Sequence, residues 1–385
     1  MSKDTRFVGL DVHAKLIAVA VAEGGRDGEV RSHGTIPNTS ESVRRLMKRL
    51  GKEGQELRVC YEAGPTGYVL YWQLTGMGIE CEVIAPTLIP KKPGERVKTD
   101  RLDAIKLARN LRAGELTGVW VPNKEQEELR DLVRARDGVR KQLMACRHQL
   151  SKFLLKHGVY KPEKASAWSS RHAAWLRTVH FGRDGLDFIF QDHVREVDNQ
   201  SSRLKQMDAA IDAAIEAGPP ELREVVSALQ MLRGVAKTTA AGLVAEIGCF
   251  SRFDGPDKLM SYVGVVPSEY STGGPGKRSQ GGITKMGNGH ARRLIIEAGW
   301  HYRYRPVTNP RMKACEKGVD PKLLPDIKRI SSDAQRRLCG RYRDLLSRGK
   351  EKNVTVTAVG RELLGFVWSV AVTVEQHYKT VASVN

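Results

Sequence analysis

Phe7-Val8-Gly9-Leu10-Asp11 is a short apolar run that ends on a carboxylate, and the stretch Leu57–Glu62 repeats that pattern, closing Val59-Cys60-Tyr61-Glu62. Apolar runs of this length, bounded by turn residues, read as buried strands. A third acidic stretch, Lys98-Thr99-Asp100-Arg101-Leu102-Asp103-Ala104, spaces two aspartates by three residues, which places both on one face of a helix. An acid in the first turn of a helix is favoured by capping and by the helix dipole, so Asp100 and Asp103 have an ordinary explanation taken alone. Taken with Asp11 and Glu62, they form four carboxylates at the ends of elements that a fold can bring together. Such hard oxygen donors suit Mg2+, which keeps part of its water shell and is commonly held by a few carboxylates against a phosphate.

Working outward from Asp11, Leu16–Ala22 reads as a second strand. Gly24-Gly25-Arg26-Asp27-Gly28 is a turn, and Val30–Ile36 a third strand. Thr39-Ser40-Glu41-Ser42 supplies N-cap chemistry for a helix through Leu50. Leu57–Glu62 follows as a strand, Pro65–Met77 as a helix stopped by Gly78, and Ile79–Ile84 as a strand. A basic loop at 91–98 leads into a helix from Thr99 or Asp100 to Ala113. The order βββαβαβα, with acids at the first strand, the fourth strand and the last helix, resembles the RNase H/RuvC-like nuclease fold. That fold would set the ends of strands one and four side by side and pack the last helix against them.

The rest of the chain differs in kind. Val139, Leu143, Cys146, Leu150 and Phe153 recur at 4-3-4-3 spacing, and Phe190, Val194, Val197, Leu204, Met207, Ile211 and Ala214 do so in a second segment. Two such helices read as an antiparallel coiled-coil hairpin whose seam is internal or joins another subunit. Leu229–Ala240 resembles a helix-hairpin-helix, with Ala236 where the second hairpin glycine is usual. Further helices are expected at Pro325–Ser347 and Val356–Val372. The expected division is therefore an α/β domain over residues 1–120, a helical coiled-coil region over 121–220, and a mainly α, basic domain over 221–385.

The charge distribution points to a polyanion. Residues 271–350 hold 19 Lys and Arg against 6 Asp and Glu, a net +13 of the chain's +19. The six cysteines are scattered, without the CxxC pairs of a zinc site, as suits a reducing compartment. No apolar run is expected to reach the roughly 20 residues that span a bilayer. The first residues lack an apolar signal segment, so a cytoplasmic, nucleoid-associated protein is expected.

A second constellation lies in Pro267-Ser268-Glu269-Tyr270-Ser271-Thr272-Gly273-Gly274-Pro275-Gly276-Lys277-Arg278. Two hydroxyls open a glycine-rich loop that ends in two cations. Glycines let a backbone come close to a phosphate, and Lys277 and Arg278 would offset its charge. A serine there can attack phosphorus if something activates it; otherwise the loop is a phosphate-binding turn. Further on, Asn288 or Thr284 can cap a helix bearing Arg292 and Arg293, near Lys285, which suits phosphate contact. His290 reads as a structural histidine. Trp300, His301, Tyr302 and Tyr304 interleave with Arg303 and Arg305, either as a base-stacking run or as a half-buried helix face.

Asp11, Glu62, Asp100 and Asp103 resemble the DEDD signature of the insertion-sequence-110 family of transposases. Pro267–Gly274 and Gly282-Ile283-Thr284-Lys285 through Arg293 are similar to that family's C-terminal transposase motif, closest to the branch typified by insertion sequence 1111. The resemblance implies an enzyme that excises and inserts DNA. It implies Mg2+ at the four acids, and a serine nucleophile before the glycines that forms a covalent link to DNA. That serine is Ser271, or Thr272 takes the role if the slot directly before glycine is the strict one. It also implies a structured non-coding bridge or seeker RNA as guide, with Lys98 and Arg101 among the nucleic-acid contacts. Assembly as a tetramer of paired dimers is implied too, with acids and serine from different subunits. The rival readings are a RuvC-like nuclease or junction resolvase that hydrolyses DNA with water, and a non-catalytic RNA-binding scaffold.

Overall fold

Strand β1 (Thr5–Val12) is the middle of a five-stranded sheet with β2 (Leu16–Ala22), β3 (Val30–Pro37), β4 (Glu56–Glu62) and β5 (Glu80–Ile84), in the order β3-β2-β1-β4-β5. The pairs β1–β2 and β2–β3 are antiparallel; β1–β4 and β4–β5 are parallel. Helices α1 (Ser40–Leu50), α2 (Val69–Gly76) and α3 (Asp100–Ala113) complete the expected order βββαβαβα. This computed structural model describes residues 5–25, 28–51, 55–90, 99–271, 278–307 and 309–384. The chain divides into two compact units, Met1–Pro122 and Asn123–Asn385.

The first unit has three layers. Alternation along the strands sends Val8, Leu10, Val19, Val21, Val59, Tyr61 and Val83 to one face, where they bury against Val43, Leu46 and Met47 of α1 and Leu70 and Leu74 of α2. It sends Phe7, Ala18, Ala20, Ala22, Cys60 and Ile84 to the other, against Ala104, Leu107, Ala108 and Leu111 of α3. Around Gly9 the second face is mostly small residues, Ala18, Ala20, Ala22 and Cys60, so α3 lies close to the sheet there. At Gly9 the approach is tightest: a Cβ there would stand 2.3 Å from the Ala104 carbonyl oxygen and 2.4 Å from the Ala108 nitrogen. Thr99 sets where α3 begins, its side chain accepting from the Leu102 N–H.

The second unit contains α4 (Lys124–Lys156), α5 (Ser170–Leu176), α6 (Asp184–Ala217), α7 (Pro220–Leu229), α8 (Lys237–Ile247), α9 (Pro256–Val263), β6 (Pro267–Ser271), β7 (Arg278–Ile283), α10 (Gly289–Gly299), α11 (Pro310–Cys315), α12 (Leu324–Ser347) and α13 (Lys352–Val384). The pairs Arg136–Asp208, Gln142–Arg203 and Phe153–His193 run in opposite chain directions, so α4 and α6 lie antiparallel. Leu143, Leu150 and Leu154 meet Phe190 and Val197 along the seam, with Cys146, Phe153 and Val194 packed beside them. The near ends of the same helices do not form a region of their own. Leu129 and Val133 of α4 and Ile211 and Ile215 of α6 enter the core shared by α7 to α13. The 121–220 segment, read from sequence as a separate region, is grouped here with the C-terminal part.

Helices α7 and α8 are joined by a short turn in which Gly234 takes φ +82°, a region open to glycine, and a Cβ there would stand 2.4 Å from the Ala298 carbonyl oxygen. Helix α13 is longer than the expected 356–372. It also corrects the expectation that no apolar run nears a bilayer-spanning length: Lys352–Ala382 is long and apolar enough to cross a membrane. Its Val356, Val359, Leu363, Val367, Val370 and Val374 are fully buried in the shared core, the arrangement of a core helix.

Because α3 rests on backbone at Gly9, Gly9→Ala is expected to lower stability by about 1–3 kcal/mol, read as a shift in the urea unfolding midpoint. Gly76→Ala, where a Cβ meets nothing within 4 Å, serves as the control and is expected to lose none. Equal behaviour of the two variants would contradict the packing account.

Candidate active site

Asp11 sits near the C-terminal end of β1, on the same face as Phe7 and Gly9. In the parallel register Leu10 is opposite Tyr61, so Asp11 and Glu62 follow at neighbouring strand ends. Both point to the side covered by α3, the side of Gly9 and Cys60. Helix α3 presents Asp100 and Asp103 in its first turn. The close seat at Gly9, Ala104 and Ala108 brings that turn over the end of β1.

The result is a cluster of Asp11, His13 and Asp100, whose donor atoms all lie within 4.8 Å of one another. His13 Nε2 is 3.4 Å from Asp11 Oδ2 and 3.4 Å from Asp100 Oδ2. Burial raises the Asp11 carboxyl above its ordinary value, His13 opposes that, and the charges of Asp100 and Asp103 push it further up. Asp103 thus acts on Asp11 electrostatically; both it and Glu62 lie outside the trio of mutually close donors. Three or four carboxylates with one partly buried member carry an excess of negative charge that a divalent cation would relieve. The donor set fits such an ion.

His13 did not emerge from the sequence as a site residue. It continues the alternation 9, 11, 13 past the strand end, which is the signal that could have found it. The turn that carries it is tied down: the His13 N–H donates to the Leu16 carbonyl at 2.9 Å, and Asn38 Nδ2 donates to the His13 carbonyl at 2.8 Å.

The hydroxyl-rich stretch read as a loop is, at its ends, a β-hairpin. Strands β6 and β7 pair antiparallel, with Ser271 opposite Arg278 as the last register pair. Thr272 and Lys277 fall between these strands and lie outside the described residues, as does Lys98. Ser268 is tied into the ladder, its hydroxyl donating to the Gly282 carbonyl at 3.1 Å. Lys285, exposed and with φ +55°, follows the hairpin, and its N–H donates to the Gly264 carbonyl.

The start of α10 is held by a buried polar network. Asn288 Oδ1 caps the helix, accepting from the N–H groups of His290 and Ala291 at 3.0 Å, and its Nδ2 donates to Glu246 Oε2 at 2.8 Å. Glu246 is fully buried and takes two hydrogen bonds from Arg134, at 2.8 and 2.9 Å. Burial alone would raise its carboxyl; the bonds from Arg134 and Asn288 more than offset this and lower it. His290 Nε2 lies 3.3 Å from Asp137 Oδ2, so this histidine bridges within the network.

Arg293 and Arg140 also bond Asp137, at 2.9 and 3.0 Å, and Lys141 lies 3.1 Å away. Burial works to raise the Asp137 carboxyl, but Lys141, Arg140 and Arg293 outweigh it and hold it at about 2. Arg292 donates to the carbonyls of Val263 and Met286. Arg292 and Arg293, singled out as nucleic-acid cations, are thus bonded within the protein. Arg101, Arg303 and Arg305 are exposed, Arg303 lying 4.6 Å over the Tyr304 ring.

Comparison with known proteins matches both halves of this arrangement. The family profile of DEDD transposases of IS110 type, described as a transposase, matches residues 8–158. A second, described as transposase IS116/IS110/IS902 family, matches residues 226–314. The chain is 44% identical to y4qE of Sinorhizobium fredii, a protein provisionally named a transposase, over 95% of this chain and 88% of that one. It is 31% identical to the transposase for insertion sequence element IS1533 of Leptospira borgpetersenii, over 90% of this chain and 98% of that one. It is 24% identical to the transposase for insertion sequence element IS1111A of Coxiella burnetii, over 62% and 64% respectively.

Asp137 gives a test of the network at α10. Its folded value of about 2 lies below the ordinary 3.8, so its contribution is complete above pH 4 and lost as pH falls from 3.8 toward 2. Asp137→Asn is expected to cost about 2 kcal/mol at pH 7, measured by urea unfolding, with the gap to wild type closing near pH 2. Equal stability at pH 7 would contradict the pairing.

Proposed function

The chain belongs to the IS116/IS110/IS902-type transposases, and from that premise we propose that it cuts and rejoins DNA through a serine-linked intermediate, with a divalent ion at its N-terminal acids. Its activity is DNA transposition, so DNA is its substrate. The convergence of Asp11 and Asp100, with Asp103 near enough to act on Asp11 and Glu62 at the neighbouring strand end, is the observation that carries the finer reading. The strand order of the first unit, with parallel β1 and β4 at its centre, supports a RuvC-like nuclease scaffold for those acids.

Asp11, Glu62, Asp100 and Asp103 would hold Mg2+. When bound, the ion offsets the charge of the scissile phosphate and makes its phosphorus more open to attack. Ser271, at the end of β6, supplies the attacking oxygen. A bond forms between Ser271 Oγ and phosphorus, and the bond from phosphorus to one deoxyribose oxygen breaks. The serine proton passes to solvent, and the freed oxygen is protonated. The reverse step with a different strand end releases the serine and rejoins the DNA. Lys277 and Arg278 follow Ser271 closely enough in sequence to serve the same phosphate.

The basic 271–350 segment, with Arg101, Lys285, Arg303 and Arg305, would hold nucleic acid, including a structured RNA that guides the choice of DNA. The long α4–α6 hairpin offers a surface for pairing of subunits. In a tetramer of paired dimers, the acids of one subunit would meet Ser271 of another.

A denaturing gel of the protein incubated with its element's DNA ends, guide RNA and Mg2+ tests this reading. Wild type is expected to leave protein covalently joined to cut DNA, and Ser271→Ala none. Asp11→Asn and Asp100→Asn are expected to lower cutting by about 100-fold or more. An adduct that survives Ser271→Ala but not Thr272→Ala would move the nucleophile by one residue. Cut strands with no adduct in wild type would favour hydrolysis by water.

A further inference from the structure

We propose that His13 is a nitrogen donor to the divalent ion held by Asp11 and Asp100, so that this site takes a first-row transition ion such as Mn2+ ahead of Mg2+. The proposal rests on the carboxylate-metal reading above and specifies which ion that site selects.

The geometry favours a shared ion over a simple ion pair. A charge-assisted hydrogen bond would draw Nε2 to about 2.7–2.9 Å from one oxygen. Here Nε2 stands at the same 3.4 Å from Asp11 Oδ2 and from Asp100 Oδ2. With metal–ligand bonds near 2.1 Å, neighbouring donors are separated by about 3.0 Å in octahedral and about 3.4 Å in tetrahedral coordination. The two His13 distances therefore match those between neighbouring donors on one cation, and all three donors lie within 4.8 Å of one another. Their burial differs in a useful way: Asp11 is the inner member, while His13 and Asp100 are exposed, which leaves the outer side open to a phosphate.

His13 is also placed before any ion arrives. The His13–Leu16 and Asn38–His13 hydrogen bonds fix its backbone, and Asn38 N–H donates in turn to the Lys15 carbonyl at 2.9 Å. A donor already held in place loses little freedom on binding. Its chemistry sets the preference. Mg2+ favours hard oxygen and gives up water reluctantly, whereas imidazole suits the transition ions. Adding one imidazole to a carboxylate pair raises affinity along the series from manganese towards copper more than it does for magnesium.

The experiment uses the full-length protein and the bare ions. Mn2+ binding is followed by electron paramagnetic resonance with pulsed detection of 14N coupling, and Mg2+ by competition against Mn2+. Wild type is expected to show 14N coupling at its tightest Mn2+ site. His13→Ala is expected to lose that coupling, with Mn2+ affinity lowered by about 10-fold or more and Mg2+ affinity changed less than about twofold. His13→Gln, which keeps the length but not the nitrogen donor, is expected to lose the coupling as well. Tight Mn2+ binding lost in Asp11→Asn, yet with no 14N coupling or no change in His13→Ala, would overturn the proposal and leave the carboxylate reading intact. Failure of folded wild type to bind Mn2+ or Mg2+ at all would overturn the carboxylate reading, and the proposal with it.

Discussion

Helix α3 lies directly on strand β1, with no side chain between them at Gly9. That contact depends on a sheet face of small residues, Gly9, Ala18, Ala20, Ala22 and Cys60, and on Ala104 and Ala108 in the helix. It also places the acids. Asp11 is the next residue on the Gly9 face, and Asp100 belongs to the turn of α3 one helical turn before Ala104. A bulkier pair of surfaces would lift the helix and carry Asp100 away from Asp11. Burial, with the charges of Asp100 and Asp103 adding to it, raises the Asp11 carboxyl, which is the cost of holding these acids together. The packing of the small-residue face has to overcome that cost.

The second unit solves a different problem. Its hairpin β6–β7 follows α9, and the chain leaving it is stitched down at once. Lys285 bonds back to Gly264, Asn288 to Tyr262, and Arg292 to Val263 and Met286. Beneath these lies the Glu246–Asn288–Arg134 group and the Asp137–His290–Arg293 group, which tie the start of α10 to α4 and α8. Breaking either partner of a buried, bonded charge leaves the other without compensation, so such a network fixes position strongly even where its net contribution to stability is modest. The chain at the base of the hairpin is thereby held in place.

Much of the first unit was legible because its signals are local. Short apolar runs bounded by turn residues gave the strands, Thr39 and the Thr99-Asp100 pair gave the helix starts, and the positions of Asp11 and Glu62 at strand ends followed from where the apolar runs stop. The pairing seam of α4 and α6 was legible for the same reason, since Leu143, Leu150 and Phe190 repeat at helical spacing. What escaped depends on distant partners. Arg293 looks like a free cation until Asp137, 156 residues earlier, is seen to hold it. His13 lies in what reads as a connection, and only the fold reveals Asp100 beside it. The Ser-Thr-Gly-Gly-Pro-Gly composition suggested a loop from Ser271 onward, but cross-strand pairing carries the ladder out to Ser271 and Arg278. Helix α13 was cut short because its last turns turn polar once they leave the core.

The seat of α3 on β1 turns Asp11 and Asp100 toward one another as the two carboxylate arms of the proposed cation site. An anomalous difference map from crystals of the protein grown with Mn2+ tests it most directly. A single strong peak is expected within about 2.5 Å of a carboxylate oxygen of each aspartate. A map with both side chains ordered and no peak between them, or with α3 displaced so that they no longer face one another, would contradict it.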